Sequence, residues 1–226
     1  MSAEAPRSAD GSLYPPTRRT RPSRLPDRAR YDEQTVHAIL DEGLICHLSF
    51  VVDGEPAVLP TLYARVAGRL YLHGSTGSRP LLAASSEDGL PVSVAVTIVD
   101  GLVLARSAFH HSVNYRSVIA HGRANLVRDP VEREAALAAV VDRVAPGRWA
   151  DCRPPSPQEL AATAVLRLEL AEVSAKVRTG EVIDEPADLV LPYWAGVIPI
   201  STVREKPVPA RDLAAGLPLP PYLAAP

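Results

Sequence analysis

Apolar side chains at Leu166, Leu168 and Leu170 alternate with Arg167 and Glu169, and the run continues as "LAEVSAKVR". A period of two puts alternate residues on opposite faces, so this stretch predicts a half-buried strand. Strand-like runs also occupy 44–52, 57–66 and 69–73. They are broken at Asp53-Gly54 and Ala67-Gly68, both hairpin signals. "PVSVAVTIVDGLVLARS" predicts two strands around Asp100-Gly101, and "YRSVIAHGRANLV" predicts another. The period changes in "YDEQTVHAILDEG", where Val36, Ile39 and Leu40 share one face, Asp32 is placed to cap and Gly43 to stop a helix. "SRPLLAASSEDG" predicts a short helix. Asp129-Pro130-Val131-Glu132 opens a longer one through about Val144. Six or seven antiparallel strands with peripheral helices make a mainly β protein, a closed β-barrel. The regular strand–helix alternation of a parallel nucleotide-binding sheet is missing.

The ends break the pattern. Residues 1–30 are rich in Arg, Pro and Ser with almost no apolar periodicity, which predicts an extended or disordered arm. Residues 203–226 hold too many prolines for a central strand or a long helix, and predict a tail that wraps the surface. The barrel domain is therefore expected over 31–202, and 226 residues suffice for its core. A formal net charge of −2 supplies no basic field to recruit nucleic acid. The N-terminus lacks the apolar region of a signal peptide and no 18-residue apolar span occurs, so no membrane partner and a cytoplasmic location are expected. Cys46, inside "LICHLSF", reads as a buried free thiol, and neither it nor Cys152 sits in a paired motif.

Two stretches carry candidate chemistry. In "SAFHHSVNYRSVIAHG", His110 and His111 are adjacent, and neighbours in an extended chain face opposite ways. With no His-x-His, Cys-x-x-Cys or His-Glu-x-x-His, no metal site is expected. His73 and His121 read as strand histidines satisfied by backbone partners. The second stretch, "HGSTGSRP", offers a strand end, two glycines, the hydroxyls of Ser75, Thr76 and Ser78, and the cation Arg79 at a helix start. Backbone N–H groups, a helix start and a fork-shaped guanidinium together suit a phosphate.

The order "VLPTLYARVAGRLYLHGSTGSRPLLAA", then "VSVAVTIVDGLVLARSAFHHSVNYRSVIAHGRANLV", then "YWAGVIP" resembles the pyridoxamine 5′-phosphate oxidase-related flavin-binding split barrels. The branch it resembles includes nitroimidazole-resistance proteins and actinobacterial flavin-nucleotide-binding proteins. The resemblance spans about residues 30–200. It implies a six-stranded antiparallel split β-barrel, a homodimer, and FMN in a groove between the subunits. His73, Gly74, Ser75, Ser78 and Arg79 fall on the family's phosphate motif, although Pro80 stands where a second basic residue is frequent. Pro60 and Thr61 fall where a strand passes the flavin ring and ribityl chain. Asn114, Arg116 and Ser117 fall on the strand that reaches the partner's flavin. His110 and His111 lie near the mouth as candidate catalytic groups, and Lys176 and Trp194 are placed to close the site.

The implied function is an FMN-dependent oxidoreductase acting on a small molecule, with a nicotinamide electron donor. Alternatives are a haem-binding or haem-degrading barrel with His110 or His111 as axial ligand, a non-catalytic flavin carrier or sensor, and the deazaflavin F420 in place of FMN. No second phosphate-binding cluster is legible in the C-terminal part, so pyridoxamine phosphate oxidation itself is not expected.

Overall fold

The computed structural model describes residues 12–84, 86 and 88–224, without the side chains of Arg79 and Leu82. Among these residues nine strands form one antiparallel system: β1 (Ala29–Arg30), β2 (Ile45–Val52), β3 (Glu55–Val66), β4 (Arg69–Ser75), β5 (Leu90–Leu104), β6 (Ser112–Leu126), β7 (Thr163–Glu169), β8 (Glu172–Arg178) and β9 (Gly196–Pro199). The helices are α1 (Glu33–Glu42), α2 (Arg79–Ala83), α3 (Pro130–Val144), α4 (Pro157–Ala162) and α5 (Pro221–Ala224).

Six strands close into a ring, β2–β3–β4–β7–β6–β5 and back to β2. Closure runs through β6. One edge of β6 pairs with β5 from Leu90↔Ala124 to Val103↔Ser112. Its other edge is shared: β8 takes Tyr115 to His121, and β7 joins only at Asn125 and Leu126. That parting of β7 from β8 is the split of the barrel. The mainly β, six-stranded split barrel expected from the sequence is the fold observed.

Two boundaries differ from expectation. Residues 163–178 form two strands, β7 and β8, with Leu170-Ala171 at the turn and Lys176 inside β8. The turn carries no Gly, Pro or Asn, so alternation ran unbroken across it. Conversely, Asp100-Gly101 does not separate two strands. It is an irregularity in one 15-residue strand, where the register shifts between Val99 and Gly101. A Cβ at Gly101 would lie 3.0 Å from the Ile198 carbonyl oxygen, so glycine there lets β9 approach. The Asp53-Gly54 hairpin appears as expected, with φ of 56° and 79°.

The interior is aliphatic: Leu48, Leu70, Leu72, Val94, Val118, Leu166, Leu168 and Val173 are all buried. α1 seals one end with Val36, Ile39 and Leu40, its first turn capped by the Asp32 carboxylate accepting from the Thr35 N–H at 2.8 Å. α3 packs Ala136 outside the ring, against Tyr71 and Val165, buries Val140 as well, and its Glu132 accepts from the Tyr71 hydroxyl at 2.8 Å. The described part of the N-terminal arm is packed, not free: Tyr14 and Thr20 are buried and β1 pairs with β8. Residues 1–11 lie outside the description. The C-terminal segment runs exposed to α5, where the Tyr222 hydroxyl donates to Asp151 at 2.7 Å. Among the described residues no helix is long and apolar enough to cross a membrane.

Leu168 is sealed inside the ring, so Leu168→Ala should cost about 2–5 kcal/mol, since a cavity replaces packed methyl groups. Val131→Ala on the exposed face of α3 should stay within about 0.5 kcal/mol. Denaturant midpoints of the two variants check the assignment of inside and outside.

Candidate functional site

The side chains singled out in the sequence lie in three places. The first is a cavity of about 200 Å³ between β3, the end of β4 and α2, lined by Leu48, Leu59, Thr61, Leu72, His73, Gly74, Ser75, Ser78, Pro80, Leu81 and Leu166. Its floor is barrel core and its rim is polar. The backbone N–H of Thr76 donates to the Ala162 carbonyl at 3.0 Å, and that of Ser78 to the Ser75 carbonyl at 2.9 Å. With those donors engaged, the described polar groups left for a ligand are the hydroxyls and the His73 ring. Gly74 keeps α2 close, since a Cβ there would lie 2.9 Å from Leu81 Cδ1. Pro60 precedes this wall, exposed and opposite His47. Arg79 begins α2, and its side chain lies outside the description.

His73 departs from its expected role. Its Nδ1 is buried without a hydrogen-bond partner, and desolvation holds its pKa below the ordinary value. The backbone around it is engaged with β7, the strand pairing His73↔Val165, and its ring forms part of the cavity wall. His121 also finds a side chain and not backbone, with Nδ1 2.8 Å from the Ser93 hydroxyl.

The second place is the β6–β8 edge. Asn114 is buried, donating from Nδ2 to the Gly180 carbonyl at 3.0 Å and accepting from Arg178. The Ser117 hydroxyl donates to the Lys176 carbonyl at 3.3 Å, and Lys176 Nζ donates to the Arg24 carbonyl at 3.4 Å. Arg116 points elsewhere. Its guanidinium is spent on Asp100 (2.9 and 2.7 Å) and on Glu42, which fasten β5 and β6 to α1 and raise its already high pKa.

The histidine pair lies on the connection between β5 and β6. His111 is exposed, and its Nδ1–H donates to the Ser107 carbonyl at 3.0 Å. A carbonyl only accepts, so that bond puts the proton on Nδ1 and leaves the lone pair on Nε2. His110 meets Phe109 edge-on and has Nε2 3.7 Å from Glu185. Arg106 beside them pairs with Asp184 at 2.6 Å and lines a wider cavity of about 480 Å³ with Glu181, Val182, Ala195, Gly196 and Val197. The exposed Trp194 ring folds over Gly196, whose missing Cβ makes room for it. Cys46 is buried, which pushes its thiol up to about 12 and makes it a core residue.

Arg28, Arg106 and Arg178 were not legible as site residues. Arg106 and Arg178 are single arginines in ordinary-looking runs, Arg28 is one of many in an arm rich in Arg, and only the tertiary structure shows what surrounds each.

A closed ring with β8 split from β7 and a polar-rimmed cavity at the end of β4 define a split-barrel binding protein. The profile of the pyridoxamine 5′-phosphate oxidase family matches residues 32–177, and the chain belongs to that family. The flavocytochrome Anf3 from Azotobacter vinelandii is 39% identical, with a TM-score of 0.86 over 92% of this chain and 95% of that one. An FAD- and haem-binding protein from Mycobacterium smegmatis is 37% identical, with a TM-score of 0.81 over 87% and 95%. A 5-nitroimidazole antibiotic resistance protein from Bacteroides thetaiotaomicron, at 19% identity and a TM-score of 0.53 over 66% and 86%, shares the fold. No curated protein matches.

The half-buried imidazoles give a pH dependence with a definite sign. His73, His37 and His121 all have pKa values lowered from 6.5, chiefly by desolvation. The unfolded chain therefore binds more protons just below that value, and stability must fall as pH drops through it. Unfolding free energy should be level above about pH 7 and decline below about pH 6.5, more shallowly in His73→Leu. Urea titrations from pH 5 to 8 check this, and an identical slope in the variant would remove His73 from the account.

Proposed function

We propose that this protein binds a flavin at the cavity between β3, β4 and α2 and works as an electron-transfer protein or oxidoreductase. The observation that carries the proposal is the cavity wall at His73: a half-buried imidazole whose buried Nδ1 has no partner, flanked by the hydroxyls of Thr61, Ser75 and Ser78. Two relatives above 35% identity, described as a flavocytochrome and as an FAD- and haem-binding protein, support the same reading.

The residues fit part of such a ligand. Ligand pockets usually enclose about 300–1,000 Å³, so a cavity of 200 Å³ takes one portion of a flavin and leaves the rest over the surface. Leu48, Leu72 and Leu166 exclude water from the floor, and the three hydroxyls are placed to hydrogen-bond ribityl or carbonyl oxygens. With its pKa lowered, His73 stays neutral at physiological pH and orients a ligand without adding charge. A bound flavin supplies the one- or two-electron chemistry; the chain holds and shields it.

A homodimer is part of the proposal. Ile45, Val51, Val58 and Ile119 are exposed on the outer faces of β2, β3 and β6, and Leu59 carries the apolar surface to the cavity mouth. A two-fold mate against that face would cover the uncovered part of the ligand. The ligand is FMN or FAD, and a nicotinamide donor and a small-molecule acceptor complete the reaction class.

Haem is a second reading favoured by one feature. His111 presents an exposed Nε2 lone pair while Nδ1–H is held by a backbone carbonyl, the arrangement that suits an imidazole to an iron. His110 faces Glu185 instead.

The absorption spectrum of the protein purified from its own source should show flavin bands, and chromatography of the released cofactor should name FMN or FAD. Thr61→Trp fills the cavity and should lose the flavin while leaving circular dichroism unchanged. A Soret band abolished by His111→Ala but kept in His110→Ala would establish haem as a second group. Parent protein without flavin, or full flavin content in Thr61→Trp, overturns the proposal.

A further inference from the structure

Arg178 is only 7% exposed, yet the acceptors it meets are neutral: the Asn114 Oδ1, and the Glu181 carbonyl oxygen at 3.3 Å. Burying a guanidinium without an anion is costly, and buried charges are ordinarily paired. Among the described residues no carboxylate lies within ion-pair distance of Arg178, Arg28, Arg24 or Lys176. A second guanidinium is brought to it. The turn formed by Pro26–Arg28 packs against β8, and β1 pairs Ala29 with Lys176, so Arg28 sits beside the end of β8. The positive field of Arg28 adds to desolvation in lowering the pKa of Arg178. A buried guanidinium that meets no carboxylate, with a second, partly exposed guanidinium in the turn packed beside it, calls for an anion from outside the chain.

The surroundings hold the arginine in place. Gly180, at a φ of +117° that other residues rarely adopt, turns the chain so that its own carbonyl meets Asn114 and the next one meets Arg178. Asn114 thereby bridges β6 to the turn and presents its amide oxygen to the guanidinium. Lys176 and the backbone of Arg24 lie on the same edge, adding a third cation.

We propose that the Arg28–Arg178 pair at the end of β8 binds the pyrophosphate of a dinucleotide. The two guanidiniums come from different elements, so the two linked phosphoryl groups of a pyrophosphate can meet one each, whereas a single carboxylate or phosphate has to be shared between them. The sequence hid this cluster because one arginine comes from the N-terminal arm and the other from the end of β8. The dinucleotide is either FAD itself or a nicotinamide donor.

The inference does not rest on flavin occupying the other cavity, because ADP carries the pyrophosphate without a flavin. Calorimetry on the full chain, freed of small molecules by dialysis, compares ADP, AMP and adenosine. ADP should bind to one site per chain, more tightly than AMP, with no heat from adenosine. Arg28→Ala, in a surface turn, should weaken ADP about 10-fold or more, the loss of one charge-assisted contact. Arg178→Gln should do the same, and Arg28→Ala keeps the test valid if that variant fails to fold. Displacement of ADP by FAD or by NADPH supports the site and names its source. AMP binding as tightly as ADP, no ADP binding to the parent, or unchanged affinity in Arg28→Ala overturns it. A chain that binds ADP but shows no flavin absorption keeps this site and loses the flavin proposal alone.

Discussion

β6 is bonded along both edges, and the rest of the molecule follows from how its outer edge is divided. A strand with one free edge would leave a row of unpaired N–H and C=O groups, an invitation to foreign pairing. Here β8 covers that edge from Tyr115 to His121, and β7 takes over at Asn125 and Leu126. The ring can close only because β6 is long enough to serve both neighbours. The handover aims β8 away from β7 and carries Asn114, Lys176 and Arg178 to the outside of the barrel while Leu166 and Leu168 remain inside it.

The candidate chemistry is correspondingly divided. The end of β4 and α2 offer hydroxyls and a neutral imidazole over an apolar floor. The β6–β8 edge offers cations that meet no carboxylate among the described residues. Neutral donors suit the polar oxygens of a ring or sugar chain, and cations suit phosphates. Arg116 shows why polarity alone does not mark a ligand site: two carboxylates already satisfy it, and it ties β6 to α1. Arg178 shows the reverse, because its nearest acceptors are neutral.

The barrel was largely legible because its strands alternate and its hairpins carry turn chemistry. Asp53-Gly54 fell at a true turn with left-handed φ, and Asp32 and Asp129 capped the helices their positions announced. The misses have physical causes. Leu170-Ala171 turns without a turn residue, and Asp100-Gly101 has turn residues without a turn, because glycine there serves the approach of β9. For the site, "HGSTGSRP" led to a real cavity since its residues are contiguous. His73 was expected to have a backbone partner. That its Nδ1 has none depends on packing by β3 and β7, which no local pattern encodes. The convergence of Arg28 on Arg178 is a product of β1 pairing with β8, a contact between distant segments.

A crystal structure of the protein carrying its natural cofactor tests the central claim most directly. The account predicts flavin density against Thr61, His73, Ser75 and Ser78, with part of the ligand outside the cavity and beneath a two-fold mate. Flavin bound away from β3, β4 and α2, or that cavity filled only by water in a flavin-loaded crystal, would contradict it.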